Sequence, residues 1–196
     1  MRRLRAWLLL AAAGWPAVGF PADSGAAAAS LALGEPERQE AIRVGRRSIA
    51  AEDFGREWRV RDEAGQSVLV MTPFHRVALE ARKAAFRRQP VKPRDVDGVL
   101  RETTGKLAFW VTLRGPRADF ARYFTPVLRQ ARTEVAASFV QNERTALREE
   151  DGRFAARCLY VFPTAGLDGQ GRLQLVVRNV EDKEVATFTV DLSGMR

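Results

Sequence analysis

The stretch RLQLVVRNVEDKEVATFTVDL, residues 172–192, carries the clearest structural signal in the chain. In its second half Ala186, Phe188, Val190 and Leu192 alternate with Val185, Thr187, Thr189 and Asp191. A period of two is what a half-buried strand needs, because successive side chains point to opposite faces. Strands over 172–180 and 184–192, joined through Glu181-Asp182-Lys183, make an antiparallel hairpin.

Working outward, the same pattern recurs. Residues 153–162 place Phe154, Ala156, Cys158, Tyr160 and Phe162 on one side of a strand, and 166–171 form the loop to the hairpin. Residues 106–114 alternate Leu107, Phe109, Val111 and Leu113 against Lys106, Trp110, Thr112 and Arg114. Between them Phe120, Tyr123 and Phe124 fit one helical turn stopped by Pro126. Residues 135–148 read as a further strand, ended by the turn Glu149-Glu150-Asp151-Gly152. Upstream, Phe54, Trp58 and Val60 mark one strand, Ala64-Gly65 a turn, and 67–72 the return strand.

Two helices interrupt this run of strands. Thr72-Pro73 starts the first, since threonine caps and proline is tolerated at the first helical position. Phe74, Val77, Ala78, Ala81 and Ala85 form its apolar face, and Pro90 ends it. The second runs over 93–104, with Val96, Val99 and Leu100 inward and Gly105 as its stop. The pattern predicts a mainly β fold, an immunoglobulin-like β-sandwich with a helical insertion at about 73–104. The Cys…Trp…Cys spacing of antibody domains is missing. The alternative is an α+β fold, an antiparallel sheet covered by two helices.

The amino terminus, MRRLRAWLLLAAAGWPAVGFPA, has the anatomy of a secretory signal peptide: Arg2, Arg3 and Arg5, then an apolar run broken by Gly14 and Pro16. Cleavage is expected after Gly19. Residues 1–19 are thus a leader, 20–34 a flexible lead-in rich in Ala, Ser and Gly, and 35–196 a single β-rich domain. No cysteine lies near the cleavage region, so the expected destination is the periplasm or the exterior, and not as a lipoprotein. No second long apolar segment follows, so no transmembrane span is expected after cleavage.

Composition excludes several chemistries. The chain has 196 residues, 46% hydrophobic, with one Cys and one His. A structural zinc site takes about four Cys/His ligands, and Cys158 alone cannot build a disulfide framework. No Walker loop, dinucleotide fingerprint, calcium loop or Gly-x-Ser-x-Gly elbow occurs. No cofactor, metal or catalytic residue is therefore assigned. His75, at the start of the first helix, reads as solvated or locally bonded, and Cys158 as an inert core thiol. The acids Asp95 and Asp97, Glu149 to Asp151, and Asp168 read as helix-start and turn residues.

The formal net charge is +8, and removal of the three leader arginines lowers it to +5. Its local expression is Arg82, Lys83, Arg87, Arg88, Lys92 and Arg94, with no acid between positions 82 and 94. Such a cluster suits phosphates or sulfates on an envelope glycolipid, an anionic polymer or an acidic protein face. Nucleic acid is not expected, because export removes it and Phe86 is the one interleaved aromatic. Trp110, on the polar face of its strand, is a second candidate contact. The sequence thus predicts a non-catalytic exported protein that binds or scaffolds an envelope component, the basic helix being either its anion-binding site or a solvated face. The alternative is an exported hydrolase with a carboxylate or His75 site.

Overall fold

The computed structural model describes residues 31–196. The expected leader, residues 1–19, and most of the lead-in lie outside the described residues. The fold is mixed: two antiparallel sheets and three α-helices. In chain order they are α1 (Glu35–Arg47), β1 (Arg59–Arg61), β2 (Ser67–Met71), α2 (Pro73–Phe86), α3 (Pro93–Thr103), β3 (Lys106–Gly115), β4 (Thr125–Gln130), β5 (Thr133–Ala136), β6 (Phe139–Gln141), β7 (Leu147–Arg148), β8 (Phe154–Pro163), β9 (Arg172–Arg178) and β10 (Glu184–Asp191).

One sheet has the order β1-β2-β3-β8-β6, with β7 also on β8; the other has the order β10-β9-β4-β5. The hairpin β9–β10 turns where expected. Asn179 N donates to Lys183 O at 2.9 Å, and Asn179 Oδ1 accepts from the backbone N of Glu181 and Lys183. The inward rows of both sheets share one core: Leu107, Phe109 and Val111 of β3, Cys158, Tyr160 and Phe162 of β8, Leu128 of β4, Leu175 of β9, and Phe188 and Val190 of β10. Burying each such Leu, Val or Phe contributes roughly 1.5–3 kcal/mol relative to exposure. The helices fit the α+β alternative in kind, although there are two sheets and three helices rather than one and two.

Four segments depart from the sequence reading. Helix α1 stands where the sequence pattern marks no element. Its first turn is acidic (Glu35, Glu37) and its last basic (Arg46, Arg47), matching the helix dipole. Its contact with α2 uses small residues: a Cβ on Gly45 would lie 2.1 Å from Ala78 O. The backbones therefore touch, and no stripe of large apolar residues announces the helix.

The strand expected through Phe54, Trp58 and Val60 shrinks to β1. Gly55 takes a left-handed φ of +92° and leads into a 3-10 turn at Arg56–Trp58. Residues 135–148 are not one strand but parts of β5, β6 and β7, which belong to different sheets. Alternation inside a segment cannot reveal that the chain changes sheets. Pro126 does not stop a helical turn but lies in β4, one residue before the pairing with β5 begins at Val127. There β4 has β9 alone as its neighbour, a position that tolerates a missing N–H.

Candidate functional site

The six basic residues are divided by the way α2 ends. Gln89 N donates to Ala84 O and Arg88 N to Ala85 O, each at 2.9 Å, while Arg88 adopts φ +56°. This is a Schellman-type cap, in which glycine normally holds the left-handed position. Pro93 then starts α3, with Lys92 as its N-cap residue. The resulting tip carries Phe86, 77% exposed, beside exposed Arg87, Arg88, Lys92 and Arg94.

Arg87, Arg88 and Lys92 make no ion pair among the described residues, and Arg94 lies 3.6 Å from Asp95. Arg82 is used elsewhere. Its guanidinium donates to Ala51 O at 3.0 Å and stacks 4.6 Å over the Phe54 ring. Lys83 faces Glu80 at 3.4 Å. Arg87, Arg88, Lys92 and Arg94 thus lie between the end of α2 and the first turn of α3, Lys83 one turn before Arg87 and facing Glu80, and Arg82 held by Ala51 and Phe54.

Lys83 instead lines a groove of about 750 Å³ between α2, α3 and the outer face of the first sheet. Its floor is set by strand register. One row across the sheet reads Met71, Ala108, Val161, Phe139, and the next Arg59, Leu69, Trp110, Leu159, Gln141. Trp110 is 41% exposed and Phe139 48%. On the wall Arg76 binds Glu102 at 2.9 Å. Sequence reasoning found Trp110 but not this floor, since its rows join residues from four and five strands. The alternation in 106–114 was the available signal.

His75 is not solvated. It is 2% exposed, under Phe54 and Trp58, whose ring centroids lie 5.9 and 4.6 Å from the imidazole. The turn at Arg56–Trp58 makes this cover, and Arg196 fastens it. The Arg196 backbone oxygen accepts from Trp58 Nε1 and Thr72 Oγ1 at 2.6 Å each, and its guanidinium grips Glu57. Thr72 Oγ1 also accepts from His75 N, capping α2. Burial pushes the His75 pKa down to about 4, with Arg76 and Arg59 adding repulsion. Its Nδ1 has no hydrogen-bond partner among the described residues.

Cys158 lies in the core, and burial raises its thiol pKa. The phenol beside it, Tyr160, is likewise shifted up by burial and donates to Asn142 Oδ1 at 2.9 Å. Glu149 binds Arg114 at 2.9 Å and Asp97 lies 3.5 Å from Arg38. Among the described residues no three His, Cys, Asp or Glu side chains group as a metal site, and no helix is long and apolar enough to cross a membrane.

No family model matches the chain, and no curated protein matches it. A solved structure, a novel protein of unknown function from Burkholderia pseudomallei, is similar at 10% identity over 83% of this chain and 92% of that one, with a TM-score of 0.40.

Proposed function

We propose that this chain is a non-catalytic exported protein that attaches to an anionic component of the cell envelope through the tip between α2 and α3. The observation that carries this reading is the conformation of Arg88. A left-handed φ costs a side chain roughly 1 kcal/mol or more relative to glycine, yet an arginine stands there, exposed and without an ion pair among the described residues. Ala131 and Asp182 also take a left-handed φ at exposed turns, and Arg88 differs from them in carrying a cation within a basic run. Arg87 and Lys92 add charge, and Phe86 adds an apolar contact suited to a glycolipid surface.

The non-catalytic reading is favoured over a hydrolase by the position of His75 beneath Phe54 and Trp58. Export rests on the leader, and a mature chain beginning near Phe20 by mass spectrometry is its expected mark. We infer further that the two sheets serve as a sandwich scaffold of immunoglobulin-like kind, supported by their shared core.

Retention on an anionic matrix tests the attachment. The combined Arg87→Glu, Arg88→Glu and Lys92→Glu variant is expected to elute at lower salt than wild type. Arg132→Glu, Arg144→Glu and Arg153→Glu combined change the net charge equally at exposed sites remote in sequence, and should elute later than the tip variant. Equal losses would mean that net charge alone sets retention, and would overturn the reading.

A further inference from the structure

The outer faces of the two sheets are built for different surroundings. That of the second sheet is closed by a charge network: Glu134 accepts from Arg129 at 2.8 Å and Arg178 at 3.1 Å, and Glu184 accepts from Arg129 at 3.1 Å. This is how a solvated sheet face is finished. The first sheet offers the groove instead, with Met71, Ala108 and Val161 in one row and Trp110 and Leu159 in the next.

Beyond Trp110 the character changes. The following row is Arg61, Ser67, Thr112, Arg157. A recess of about 270 Å³ there is lined by Arg59, Ser67, Thr112 and Arg157, and it shares Trp110 with the groove. Along β3, Ala108 to Thr112 covers about 13 Å at roughly 3.3 Å per residue, so an apolar trough meets a basic pocket within one small-molecule length.

The charges differ in availability. On the groove wall Arg76 and Lys83 are neutralised by Glu102 and Glu80. Arg59 and Arg157 make no ion pair among the described residues, and the Ser67 and Thr112 hydroxyls stand beside them. Lys106, also without an ion pair, lies at the opposite end of the groove, a single cation without that company.

We propose that this face binds a single-chain anionic amphiphile. The tail lies in the groove over Ala108 and Val161, the Trp110 indole marks the junction, and the carboxylate or phosphate head is held by Arg59 and Arg157. Two guanidinium forks suit an oxyanion, and the groove volume lies in the range of small-molecule sites. The site is separate from the tip and does not depend on its ligand.

Calorimetric titration of the full chain with dodecanoate, below the concentration at which it forms micelles, tests the proposal, with dodecanol as the neutral counterpart. One-to-one binding of dodecanoate is expected. Arg59→Gln with Arg157→Gln should weaken dodecanoate by about tenfold or more while leaving dodecanol within about twofold. Phe139→Ser, at a half-exposed rim position, should weaken both. The tip variant Arg87→Glu, Arg88→Glu and Lys92→Glu should bind dodecanoate as wild type does, which keeps this result separate from the attachment reading. No binding of dodecanoate, equal losses of both probes in the arginine variant, or a loss confined to Lys106→Gln would overturn the assignment.

Discussion

The indole of Trp58 and the imidazole of His75 lie 4.6 Å apart, centroid to centroid, in a pocket sealed by Arg196. Protonating His75 there puts a charge where burial denies it water, and near Arg76 and Arg59. The folded protein holds its pKa near 4, whereas an unfolded chain releases it to about 6.5. The depressed value means that the unfolded state binds more protons between these limits, so stability is complete above about pH 6.5 and falls as pH drops toward 4. The loss attributable to His75 is about 3 kcal/mol by pH 4. Urea unfolding of wild type and His75→Phe across this window checks it: the variant should have the flatter profile, and parallel profiles would refute the assignment.

Two glycines in helices should respond oppositely to alanine. In α1, a Cβ on Gly45 would meet the backbone of Ala78. Gly45→Ala should therefore destabilise the fold by about 2 kcal/mol despite alanine's better helix propensity. In α3, none of the described residues lies within 4 Å of a Cβ on Gly98, and Gly98→Ala should stabilise by up to about 1 kcal/mol. Thermal denaturation reads both signs. If Gly45→Ala were the more stable variant, the close approach of α1 and α2 would be wrong.

Cys158 should behave as a core atom. Its sulfur lies among the inward residues of β3 and β8 and its thiol is harder to ionise than usual. Reaction with a disulfide reagent should track unfolding, and Cys158→Ala should cost about 1 kcal/mol. Labelling of the native chain as fast as of the denatured one would count against this.

The parts of the fold that were readable share one physical basis: large side chains at a regular period. The strands through Phe109, Tyr160 and Phe188, and the start of α2 at Thr72-Pro73, follow from alternation and capping. Helix α1 was hidden because Ala41 and Gly45 pack by being small. The cover over His75 was hidden because Gly55 turns the chain out of a strand that periodicity alone would continue. At the candidate site, the basic run 82–94 was visible as charge. Its division was not, since Arg82 is drawn away by Ala51 and Phe54, about thirty residues upstream. The groove floor was less legible still, because its rows exist only after register is fixed.

The attachment reading depends on Arg88 being kept for its side chain at a position that suits glycine, and Arg88→Gly separates the two roles. The paired measurement is melting temperature and the salt needed for elution from an anionic matrix, compared with Arg144→Ala, which removes one exposed charge elsewhere. Relief of the left-handed backbone should leave Arg88→Gly more stable than wild type by about 1 kcal/mol, while it elutes at clearly lower salt than Arg144→Ala. Elution of the two variants at the same salt would contradict the account, whatever their stabilities.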